Sequence, residues 1–124
     1  MKFACVCGHQ VRDQTDYLPY KAEILRDEDG ERFWDAVDAA VARCANNSPG
    51  ESAEADERYS LMRAWLAYTV HAYECEACGR LYVERERGGE LVAFVPASGR
   101  PERVLASPHG SPVGAPTESK PRAG

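Results

Sequence analysis

Apolar and polar positions alternate over short stretches near both ends of the first 96 residues and recur at helical spacing between them. Phe3, Val6 and Val11 mark residues 2–12 as short strands. Asp13 to Tyr20 is rich in Asp, Thr and Pro, which favour turns, so it reads as a loop. Lys21 to Arg26 reads as a further strand, with Ala22, Ile24 and Leu25 apolar. Phe33, Val37, Ala40 and Cys44 then recur at helical spacing, with Trp34 and Val41 beside them. They predict a helix over about 31–45, with Asp29 as its cap. Asn46 to Gly50 is a strong helix stop. A second helix is predicted over about 52–70, with Leu61, Met62, Trp65, Leu66 and Thr69 as its apolar stripe. Leu81 to Glu86 and Glu90 to Val95, joined through Gly88-Gly89, predict a β-hairpin.

The composition changes beyond Pro96. Six of the eight prolines fall between Pro96 and Pro121, among Ser, Gly and Ala, and large apolar residues become scarce. Such a segment buries too little surface to offset its ordering entropy, so residues 97–124 are expected to be a disordered tail. Residues 1–96 are expected to be the folded domain. A chain of 124 residues, 44% of them hydrophobic, can build a core, but domains of this size are marginal on burial alone and often carry a metal staple.

The cysteines supply that staple. Cys5-Val6-Cys7-Gly8 and Cys75-Glu76-Ala77-Cys78-Gly79 both end in Cys-Gly. A chain that brings two thiolates to one metal must turn tightly, and Gly supplies the positive φ such a turn needs. Two pairs give four sulfur ligands, the set preferred in closed structural zinc sites. Cys5, Cys7, Cys75 and Cys78 are therefore the expected ligands of one structural Zn2+. His9 lies within reach as a substitute ligand beside Cys7. Cys44 shares the stripe of Phe33, Val37 and Ala40 and reads as core.

The two cysteine pairs and the hairpin after the second resemble the zinc ribbon, and the chain as a whole is similar to short bacterial zinc-ribbon proteins. The resemblance spans about 5–12 and 73–95, and its first half has Cys-x-Cys in place of Cys-x-x-Cys. It implies an α+β fold: zinc-ribbon β-structure from the N-terminal strand and C-terminal hairpin, with a two-helix insertion between the knuckles.

Charge and missing motifs then narrow the chemistry. The net charge is −5, but residues 1–96 hold 18 acids and 11 Lys/Arg, a net −7. So acidic a body repels phosphate backbones unless its basic residues cluster. The His-x-Glu and Pro-Cys-x-x-Cys of zinc deaminases are both absent, and Glu74 and Glu76 read as solvated charges. Cys75-Glu76-Ala77-Cys78 lacks the βαβ context of a redox motif. Asp27 to Glu31 has Gly in the wrong place for a calcium loop. Asp13 and Asp16 fit either paired carboxylates or a turn. The first residues hold no extended apolar segment and no run is long enough for a membrane span, so a cytoplasmic protein is expected. The leading expectation is a non-enzymatic zinc protein that binds another protein. A nucleic-acid-binding ribbon using Arg80, Arg85 and Arg87 is the alternative. A zinc-dependent hydrolase or deaminase comes third.

Overall fold

Short strands and two helices follow in the order the pattern predicts, with one strand added. The computed structural model describes residues 1–45, 51–110 and 112. Strands β1 (Lys2–Ala4), β2 (Gln10–Arg12) and β3 (Lys21–Leu25) precede a 3-10 turn at Asp27–Asp29. Helices α1 (Gly30–Ala45) and α2 (Glu51–Tyr68) come next, then β4 (Thr69–Glu74), β5 (Leu81–Glu84) and β6 (Leu91–Phe94). One sheet pairs β1 with β2, and a second has the order β3-β4-β5-β6. The class is α+β. None of the described helices is long and apolar enough to cross a membrane. The expected helix stop at Asn46 to Gly50 lies outside the described residues.

The chain divides into two compact units. The first comprises Met1–Ala22, His71–Val83 and the described residues from Leu91 on. Here β1 and β2 run antiparallel, with Phe3 opposite Val11. Val11 is buried while its neighbours Gln10 and Arg12 are exposed, the period-two pattern of a strand with one face on a core. Tyr73 of β4 lies opposite Tyr82 of β5. Both rings meet Phe3 edge-on, at 5.6 and 4.9 Å between centroids. Cys5, Val11, Tyr73, Cys75 and Tyr82 form the core cluster, with Phe3, Tyr20, Cys78 and Leu91 packed against it.

The second unit comprises Glu23–Val70 and Glu84–Glu90. Ala36, Ala39, Ala64 and Ala67 line a groove between its helices, and Arg43 donates to the Ser60 hydroxyl across it at 2.8 Å. Phe33 is buried against Trp34 and Trp65, ring edge to ring face. The arm of Arg87 donates to the carbonyl and hydroxyl oxygens of Thr69, at 3.1 and 2.8 Å, and pairs with Glu23. The carboxylate of Asp29, the expected cap, accepts a hydrogen bond from Arg32 at 3.0 Å.

Two expectations change here. The second helix ends at Tyr68, not Val70, and a strand follows at once. Thr69 turns its hydroxyl back onto the Trp65 carbonyl at 2.7 Å, closing the last helical turn. Thr69 and Val70 are β-branched and suit a strand. The expected stripe of α2 is also largely outside. Met62 is 53% exposed and Leu66 42%, whereas Ala64 is buried.

Residues 97–110 run as successive turns, closed by amide-to-carbonyl bonds from Gly99 to Pro96, Ala106 to Arg103 and Gly110 to Ser107. They are tied to β4. The Glu74 carboxylate accepts the backbone N–H groups of Glu102 and Arg103 at 3.1 and 2.9 Å. Glu74 is 3% exposed, so it is no solvated charge, contrary to the sequence reading. Residue 111 and residues 113–124 of the expected disordered tail lie outside the described residues.

One half-buried polar network carries a measurable pH signature. Asp13 accepts the Tyr73 hydroxyl at 2.6 Å and the Lys21 ammonium at 3.0 Å. Burial works against its charge, but these two partners outweigh it and hold the carboxyl below its usual range. A depressed folded-state pKa adds stability that is present above the unfolded value and lost as pH falls. Asp13→Asn is therefore expected to destabilise the fold by roughly 1–3 kcal/mol near neutral pH. The gap to wild type should close as pH falls below about 4. Urea melts of both zinc-loaded chains at pH 7 measure the neutral-pH gap, and an Asp13→Asn chain as stable as the wild type there would contradict the assignment.

Candidate metal centre

Two tight turns bring the cysteines together. The first links β1 to β2. Cys5 donates its N–H to the His9 carbonyl and Gly8 donates to the Cys5 carbonyl, both at 2.8 Å. Gly8 sits at φ +101°, in the left-handed region that favours glycine. The second links β4 to β5, with Cys75 donating to the Arg80 carbonyl at 2.9 Å and Gly79 to the Cys75 carbonyl at 2.8 Å. Gly79 has φ +87°, and a Cβ there would stand 2.7 Å from the Arg100 carbonyl oxygen. The Cys-Gly endings read in the sequence are thus required by the turns themselves.

The four Sγ atoms of Cys5, Cys7, Cys75 and Cys78 all lie within 4.8 Å of one another. Two separations cross between the turns, 3.5 Å from Cys5 to Cys78 and 3.6 Å from Cys7 to Cys75. A tetrahedral ion bound to four sulfurs at about 2.3 Å would hold them about 3.8 Å apart. The donor set and its spacing therefore fit one metal ion. Cys5 and Cys75 are buried, Cys78 half-buried and Cys7 exposed. His9 is exposed and stands outside the cluster, and Cys44 sits half-buried on α1.

The surroundings prepare the thiols unequally. Burial opposes ionisation of Cys5, but the Tyr82 hydroxyl at 3.1 Å, the Cys7 amide and the neighbouring thiols outweigh it and bring Cys5 down to about 6. Burial pushes Cys75 up to about 12. Cys78 is lowered, by the Arg80 backbone amide first and the Arg80 guanidinium at 3.3 Å as well. Cys5 therefore gives up its proton to an entering cation more readily than Cys75 does.

The sequence reading does not single out Tyr82, and it takes Arg80 for nucleic acid and not for the cysteine site. Tyr82 also accepts the Val6 N–H at 3.3 Å, so it braces the first turn from β5. Its signal was its phase, since Tyr82 and Glu84 face inward and Leu81 and Val83 less so.

Fold and site together define a small α+β protein with a four-cysteine site able to hold a metal ion. Residues 1–98 match the family described as Domain of unknown function (DUF8617), and the chain belongs to that family. No curated protein and no solved structure matches the chain.

Proposed function

We propose that the centre holds one structural Zn2+ and that the chain is a non-enzymatic, zinc-ribbon-like module that binds another protein. Four thiolates at tetrahedral spacing suit zinc, and they would fill every position of such an ion, leaving none for a metal-bound water. A reducing cytoplasm would keep the four sulfurs as thiols.

The binding reading rests on one observation. Trp34 is 60% exposed, Tyr59 61% and Met62 53%, with Val41 and Leu66 also largely outside. Large apolar side chains of this kind anchor interfaces once a partner covers them. The nucleic-acid alternative is less well supported, because the hairpin arginines are already engaged. Arg85 pairs with Glu90, Arg87 with Glu23, and Arg80 with the Cys78 sulfur.

The test is cross-linking in the chain's own cells with wild type and with a triple variant, Trp34→Ala, Met62→Ala and Leu66→Ala. A partner joined to the wild type should disappear with the variant, while its bound zinc and helicity are retained. An unchanged cross-linking pattern would end the binding reading.

A further inference from the structure

We infer that residues 99–106 form a strap that locks the second cysteine turn, so that strap docking and metal retention are coupled. The inference rests on the metal reading of the centre and concerns residues beyond the family match, which ends at residue 98.

Three observations carry it. Glu74 immediately precedes Cys75 and is 3% exposed, and its carboxylate is occupied by two strap amides, Glu102 at 3.1 Å and Arg103 at 2.9 Å. Two successive N–H groups aimed at one anion make a small backbone nest. Arg103 is one of two non-glycine residues at positive φ among the described residues, at +55°. The strap also closes over the turn from the other side. The Gly79 α-carbon faces Arg100 and Pro101 so tightly that an added Cβ would stand 2.7 and 2.8 Å from their backbone atoms.

The strap therefore touches the cysteine turn at both ends, at the residue before Cys75 and at the residue after Cys78. A metal ion fixes the spacing of those two cysteines. The strap fixes the backbone on either side of them. Each favours the same geometry, so each strengthens the other, and the coupling is reciprocal. Glu74 is accordingly a positioning residue for the metal turn, acting through the strap and not as a ligand.

The experiment uses the full zinc-loaded chain. Arg103→Pro removes one donated N–H and cannot adopt φ +55°, yet Arg103 is exposed, so the core is left intact. Hydrogen exchange first shows whether the strap is freed, and zinc transfer to a chromophoric chelator then reads retention. The expected result is lost protection at Glu102 and its neighbours, with zinc affinity weaker by on the order of tenfold. Glu74→Gln should move both readouts the same way, and Arg103→Ala, which keeps the N–H, should largely retain both. A freed strap with wild-type zinc retention would overturn the coupling. So would a strap still protected in Arg103→Pro, because the Glu74 nest would then not be what holds it.

Discussion

Stripping the metal with a chelator is expected to unfold residues 1–95, with loss of helical signal and of a cooperative melt, and returning zinc should restore both. The reason lies in where the ligands sit. Cys5 and Cys75 are 3% and 0% exposed and belong to the same cluster as Val11, Tyr73 and Tyr82. Without a metal, that cluster must keep thiols of opposed character beside one another in its centre, one brought down to about 6 and one pushed up to about 12. β1 and β2 have three residues each, too few to hold a sheet unaided. The metal also closes the 67-residue span between Cys7 and Cys75. Structural zinc contributes about 10–16 kcal/mol in small metal-dependent domains, comparable to the whole stability of a domain, about 5–15 kcal/mol. The apo chain should therefore sit on the unfolded side. Circular dichroism melts with and without chelator measure this. Helicity and melting temperature unchanged by chelation would contradict the structural role.

Cys75→Ser should reproduce the apo state even with zinc in excess. It removes a buried sulfur ligand and leaves a hydroxyl that binds zinc poorly, so the second turn is held by Cys78 alone. Cys44→Ala makes the contrast. Cys44 is half-buried on α1 and outside the cluster, so its loss should cost only packing, on the order of 1 kcal/mol, with a full zinc complement. Metal content and melting of the two variants, side by side, decide the point. Equal zinc loss in both would mean that the ligand set is misassigned.

The cysteine site was legible because its cause is local. Gly8 and Gly79 take the positive φ values that the Cys-Gly endings suggest, and no long-range information is needed to see why. The first helix was legible for the same reason, with Phe33 and Ala40 buried as their spacing requires. β4 was hidden because Tyr68 passes to Thr69 with no glycine or proline to mark the change. Its identity depends on β5, whose residues 81–83 pair with Glu74 to Ala72. The second helix misled for a related reason. Its large residues suggested a core stripe, but the small Ala64 is buried there while Met62 and Leu66 are left outside. Glu74 was read as solvated from its charge alone, whereas its burial depends on two amides 28 and 29 residues further on. Such partners leave no trace in local pattern.

X-ray absorption at the zinc edge on the full chain, with metal content measured on the same sample, tests the central claim most directly. A closed centre made by Cys5, Cys7, Cys75 and Cys78 predicts one zinc per chain and four sulfur scatterers at about 2.3 Å. A nitrogen or oxygen scatterer in the first coordination sphere would mean that His9 or water takes a place there. That result, or a chain that retains no zinc, would contradict the four-thiolate site.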